Sequence, residues 1–199
     1  MPRNRTPMPQ FINVDSIKLE VVHGFPGPPG SHFRLPTGKV FGFPWKPDAL
    51  YHVGKWIVGR KLDDYVGRAR YIGHDMENGG TAWCVDISGT SQFRMDPDGR
   101  SFFIDDVHAM FDRLIFQVFE HGDGYWVVLN YNASIQRGCN IAFVGRDGHV
   151  HWLSGKIPGD RVPAYMEIRL GEGRFVEAWA QRCMAVIDPA TLRIVSTRP

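Results

Sequence analysis

The sequence is short of the features that would tie it to a membrane, a nucleic acid or an oxidising compartment. No apolar run approaches the roughly 18 residues a membrane helix needs, so no membrane partner is expected. The formal net charge is only +2 and no Lys/Arg run occurs, which argues against a nucleic-acid partner. The chain is equally far from the strong acidity of a nucleic-acid mimic. Cysteine is scarce: Cys84, Cys139 and Cys183 are odd in number and widely spaced. That pattern argues against a disulfide framework or a zinc knuckle and fits reduced thiols in the cytoplasm better. The first residues, MPRNRTPMPQFINVDSIKLEVVHG, carry positive charge with no apolar core behind it, so no secretory signal is read. The triplet Asn132-Ala133-Ser134 matches a glycosylation acceptor, which matters only in a secreted protein.

Catalytic signatures are also missing. There is no phosphate loop, nucleophile elbow or dinucleotide fingerprint, and no cofactor is expected. Asp96-Pro97-Asp98-Gly99-Arg100 resembles the start of a calcium loop, but the position for the distal glutamate is Val107, so the segment is a turn. Cys84 with His74 and Asp86 could form a thiol catalyst, yet Cys84 falls in mid-strand, where buried cysteines are inert. The doublets Asp63-Asp64 and Asp105-Asp106 point apart on a strand or turn, and suit capping better than acid/base work.

What the chain does have is turns. With 22 glycines and 14 prolines among 199 residues, long helices are disfavoured. Residues 1–31 divide into a polar arm, a first strand over Ile17–Val22 and the Pro/Gly-rich connector GFPGPPGS. Residues 32–199 are expected to form a single β-rich domain, with a subdivision near 105–113 as the alternative. His32–Leu35 and Val40–Phe43 flank a turn, Leu50–Val58 is β-rich, and Tyr65–Ile72 alternates. Apolar residues at 107, 110, 111, 114, 115 and 118 have helical spacing, which predicts a short helical turn near 106–112 before strands resume.

Residues 139–153, CNIAFVGRDGHVHWL, contain the strongest hairpin signal. Asp147-Gly148 at a two-residue tip sets Arg146 opposite His149 and Phe143 opposite Trp152. Alternation then puts Ile141, Phe143, Val150 and Trp152 on one face, and His149 and His151 on the other. Those two histidines could share a metal, but nothing nearby supplies further ligands, so a solvated face is the favoured expectation.

The pattern recurs. TAWCVDISGTSQFRM (81–95), AYMEIRLGEGRFVEAWA (164–180) and CMAVIDPATLRIVS (183–196) each read as strand, tip, strand, and HFRLPTGKVFGF (32–43) is a fainter copy. Ala142 and Ala185 are 43 residues apart, close to the period of a four-stranded propeller blade. On the segments YWVVLNYN, NIAFVGRDGHVHWLS, GRFVEAWA and CMAVIDPATLRIVS, the stretch from Leu114 resembles blade-like repeats of small bacterial β-meander proteins. The expected fold is mainly β: an antiparallel meander of blade-like four-stranded units, as a small or partial propeller or a β-sandwich, with few short helices.

Two functions compete. Six tryptophans and thirteen phenylalanines suit a protein-binding module. The resemblance implies an immunity or adaptor protein that occludes a partner protein, a toxin in the first case. The alternative is a hydrolase whose loops bring together His74, Cys84, His121 and Asp123, with His149 and His151 as the alternative metal pair. An exposed aromatic patch would favour the binder, and a deep polar pocket the enzyme. Oligomeric state is left open.

Overall fold

The computed structural model describes residues 9–24, 31–130, 140–153, 165–173, 175–180 and 183–198. Most of the GFPGPPGS connector, the Asn132 triplet and Cys139 lie outside them. Every regular element among the described residues is a strand, and no sheet closes into a barrel. No described helix is long and apolar enough to cross a membrane.

In chain order the strands are β1 (Gln10–Val14), β2 (Ile17–Val21), β3 (His32–Arg34), β4 (Val40–Gly42), β5 (Ala49–Val53), β6 (Trp56–Asp63), β7 (Arg68–Asp75) and β8 (Thr81–Ser88). They continue as β9 (Phe93–Met95), β10 (Ser101–Ile104), β11 (Val107–Met110), β12 (Ile115–His121), β13 (Gly124–Leu129), β14 (Ile141–Gly145) and β15 (Val150–Trp152). The last four are β16 (Tyr165–Leu170), β17 (Val176–Ala180), β18 (Met184–Asp188) and β19 (Arg193–Arg198). The chain forms two compact units. One holds the described residues up to Leu62 with Tyr71–Ala82; the other holds Asp63–Arg70 and the described residues from Trp83 onward.

The first unit contains the antiparallel meander β1-β2-β3-β4. Its tight turns follow from residues that tolerate positive φ: Asp15 (52°) joins β1 to β2, and Gly54 (58°) joins β5 to β6. Leu19, Phe33, Phe41, Phe43 and Ile57 form its core, with Phe33 and Phe41 ring centroids 5.7 Å apart. Burial of such side chains is worth about 1.5–3 kcal/mol each.

The second unit is a sandwich. The meander β16-β17-β18-β19 buries Ile168, Val176, Ala178, Ala185 and Ile187 in one cluster with Phe119, Trp126, Val128 and Ile141. β12 pairs antiparallel with β13 and parallel with β8, through Gln117–Phe119 against Cys84–Asp86. A three-stranded sheet, β11-β10-β9, completes the unit.

The hairpins expected at 32–43, 164–180 and 183–196 are present as β3-β4, β16-β17 and β18-β19. Three local expectations are corrected. The helical turn near 106–112 is strand β11: Val107 and Ala109 are buried while His108 and Met110 face outward, a two-residue period that pairing with β10 enforces. Residues 81–95 are not a hairpin, because β8 joins β12 and β9 joins β10. The 141–153 hairpin is shifted by one residue. Only Gly148 takes positive φ (79°); its N–H donates to Gly145 O (3.0 Å), and Gly145 N–H donates to His149 O (3.0 Å). The tip therefore has three residues, and Phe143 opposes His151 while Ala142 opposes Trp152. The apolar set is thereby split between the faces: Ile141 and Phe143 share one with His151, and Val150 and Trp152 lie on the other.

Candidate interaction face and charged end of the second unit

At one end of the second unit the turns collect charge. Arg68 at the start of β7 donates through Nε to Asp86 Oδ1 (2.8 Å) and through Nη2 to the carbonyls of Asp86 (2.8 Å) and Glu120 (3.2 Å). Arg70 Nε lies 3.4 Å from Asp86 Oδ2. Glu120 accepts from the Ser88 N–H on one oxygen and from the Arg146 guanidinium on the other. Arg146 also donates to the Tyr125 hydroxyl and lies over that ring, 4.7 Å from its centroid. Both carboxylates are engaged on each oxygen by hydrogen bonds or ion pairs. The network therefore acts as a strut across β7, β8, β12, β13 and the β14-β15 turn, and has no idle acid or base to offer a substrate.

The sequence-derived site residues fall in different units. His74 belongs to the first unit, and Cys84, His121, Asp123, His149 and His151 to the second. His74 is buried between Phe41 and Phe43, whose centroids lie 5.0 and 4.8 Å from its ring. Burial pulls its pKa down to about 4; backbone groups of Gly79, Gly42 and Gly80 work weakly the other way, but none reaches a ring nitrogen at hydrogen-bonding geometry. Burial pushes the Cys84 thiol up to about 12, with the charges of Glu167 and Asp86 adding to it, so it stays protonated at neutral pH. Its Sγ lies 3.8 Å from Phe116 O. His121 and Asp123 sit at the β12-β13 turn, tied to the next turn by Arg146 N–H donating to Asp123 O (3.3 Å). His149 and His151 are exposed; His149 Nδ1 is 3.4 Å from Asp147 Oδ2. No group of three or more potential metal ligands converges among the described residues.

No local pattern in the sequence points to the outer face of the C-terminal sheet. Cross-strand pairing puts Arg169 beside Glu177, Glu167 beside Trp179, Glu177 beside Val186, and Val186 beside Ser196 on the side away from the core. Arg169 clamps Glu167 through Nε (2.7 Å) and Nη2 (2.8 Å), and its guanidinium carbon lies 5.7 Å from the Trp179 ring centroid. Trp179 remains 40% exposed. Next to it is a groove of about 450 Å³. Phe175, Val186 and Val195 supply its apolar lining, and Glu172, Glu177 and Arg198 its charges. The faces of these strands follow from alternation, but which face is covered depends on contacts with β12 and β13, far away in sequence.

The other edge of this sheet is closed by two side-chain amides. Gln117 donates to Ile168 O (2.9 Å) and accepts from Ile168 N–H (2.8 Å). Asn140, fully buried, donates to Tyr165 O (2.8 Å) and Leu129 O (2.8 Å) and accepts from Tyr165 N–H (2.9 Å). Each amide stands in for a peptide group of a missing neighbour strand.

Residues 93–198, which include this sheet and its groove, match the family described as a domain of unknown function (DUF7957), and the chain belongs to that family. No curated protein matches the chain.

Proposed function

We propose that this chain is a protein-binding module whose outer C-terminal sheet face meets the partner. The observation that carries the proposal is the pairing of half-exposed Trp179 with Arg169 beside an apolar groove with charged sides. Trp and Arg are among the side chains most enriched at binding hot spots, and the Arg169–Glu167 clamp beside Trp179 reduces the side-chain ordering that binding would cost. The module acts by covering its partner, as an immunity or adaptor protein does; for an immunity protein the partner is a toxin. Binding of the neighbouring gene product to the full chain tests this. Trp179→Ala and Arg169→Ala should each weaken it by about 2 kcal/mol or more, the size expected of hot spots. Equal affinity of both variants and the unaltered chain would sink the proposal.

The competing reading is a hydrolase. It is favoured by one observation, the bond between the β12-β13 and β14-β15 turns that brings His121, Asp123, Asp147 and His149 to one end. Loss of a measured hydrolysis in His121→Ala or His149→Ala, with partner binding intact, would support it.

A further inference from the structure

We propose that two copies of this chain pair through β1, edge to edge and antiparallel about a twofold axis at Ile12, joining their β1-β2-β3-β4 sheets into one eight-stranded sheet. An exposed strand edge offers a row of unpaired N–H and C=O groups, and proteins blunt such edges with bulges, charges or covering groups. Among the described residues, the sheet edges formed by strands of five or more residues are β1, β5, β16 and β19. Three of them are blunted. Asp15 accepts the His52 N–H of β5 (3.2 Å), and Gln117 and Asn140 occupy β16. β19 is bulged at Val195, which falls between the pairs Val186–Ser196 and Ile187–Ile194, and carries Arg193 and Arg198.

β1 carries none of these devices within its own residues, and β5 approaches it with the His52 N–H on Asp15 at its end. The β1 sequence is Gln-Phe-Ile-Asn-Val, with no charge and no proline, and its register against β2 is regular from Gln10 to Val14. Gln10–Asn13 are all exposed. Ile12 is the telling residue. It pairs with Leu19, which is fully buried, and so belongs to the core-facing side of the sheet; yet it is 38% exposed, and among the described residues no strand is hydrogen-bonded to the other side of β1. One more strand would complete the core face.

The chemistry of β1 selects a second copy of this chain as that strand. With the axis at Ile12, each Ile12 meets its symmetry mate, and Phe11 opposes Asn13 on either side. The core faces of both sheets then continue on the same side, since direct cross-strand pairs share a face. No like charges meet, and the strand carries no charged address for a different protein. Such a self-matching patch is the requirement for an isologous twofold interface. Phe11, 49% exposed beneath the Lys18 ammonium (4.1 Å from its centroid), would cover the neighbouring Asn13.

Light scattering on the full chain tests this. The unaltered protein should show twice the mass of one chain. Ile12→Lys sets two ammonium groups against each other at the axis and Ile12→Glu two carboxylates, so each variant alone should show the mass of one chain. An equal mixture of the two should return to the doubled mass, because opposite charges then face each other. Unaltered protein that stays single up to hundreds of micromolar would overturn the proposal. So would Ile12→Lys that stays double, or a mixture of the two folded variants that stays single. Should the charged variants lose their β circular dichroism, Ile12→Cys decides. Mild oxidation should join two chains through position 12, read by peptide mapping; oxidised chains joined elsewhere or not at all would refute the pairing.

Discussion

His74 in the first unit and Asn140 in the second are both buried polar side chains, and they are treated in opposite ways. Asn140 is fully used: its amide bonds to Tyr165 on both sides and to Leu129 as well. His74 sits in an aromatic cage with neither ring nitrogen bonded among the described residues. A satisfied buried amide fixes register and welds two sheets, whereas an unsatisfied buried imidazole is tolerated only while it stays neutral. The second unit therefore uses its buried polarity as structure. The first carries it as a sensitivity to acid.

The largest expected effect comes from breaking the satisfied side. Asn140→Ala leaves the Tyr165 N–H, the Tyr165 carbonyl and one bond to Leu129 O without this partner, in a site closed to water. The cost should be about 3–5 kcal/mol, read by urea denaturation followed through the second unit's tryptophans. A loss below about 1 kcal/mol would mean that water or relaxation replaces the amide.

Next is the unsatisfied side. His74 has its pKa lowered from 6.5 to about 4, so between those values the unfolded chain binds a proton that the folded chain refuses. Its contribution is complete above about pH 6.5 and is lost as pH falls toward 4, a change on the order of 3 kcal/mol. Asp75 acts in the same direction at lower pH. Burial raises its pKa, but the N–H groups of Glu77 and Asn78 and the Lys55 ammonium (3.2 Å) bring it net below 3.8. His74→Phe should flatten the stability profile between pH 6.5 and 4 and leave the Asp75 limb in place. An unchanged slope in that window would remove His74 as its source.

Gln117→Ala sharpens the comparison inside the second unit. It removes two hydrogen bonds in a half-buried site, so the expected cost is about 1–3 kcal/mol, below that of Asn140→Ala. Amide exchange at Ile168 should accelerate in this variant. The β14-β15 hairpin holds an effect of similar size and the smallest ones. Gly148→Val forces positive φ on a β-branched residue, at about 1–3 kcal/mol, while exposed His149→Ala and His151→Ala should each cost under about 1 kcal/mol. Unfolding of either histidine variant would reopen the metal reading of that pair.

Local signals were readable and distant ones were not. The β16-β17 and β18-β19 hairpins follow from Gly171-Glu172-Gly173 and Asp188-Pro189, turn residues lying between alternating strands. The apolar spacing of 106–118 fits a helix equally well, and only pairing with β10 decides for strand at Val107–Met110. The three-residue tip at 146–148 is not legible locally, because Asp-Gly also fits a tip one residue shorter. The bonds of Gln117 to Ile168 and of Asn140 to Tyr165 span 51 and 25 residues, beyond any local pattern. The outer face with Trp179 was hidden for the same reason, since alternation yields two faces without saying which one β12 and β13 will cover.

The parallel pairing of β8 with β12 has a practical consequence for anyone cutting the chain at the family boundary. The match begins at residue 93, whereas the second unit reaches back to Asp63–Arg70 and Trp83–Ser88. A piece starting at 93 keeps β12 but loses the backbone partner of Gln117–Phe119, the Ser88 N–H on Glu120 and the Arg68 guanidinium. It would present a raw strand edge in the middle of its sheet, and would recruit whatever extended peptide could fill the place of β8. Supplied separately, a peptide spanning residues 81–88 is the natural donor strand, and its uptake would restore by complementation what the cut removed.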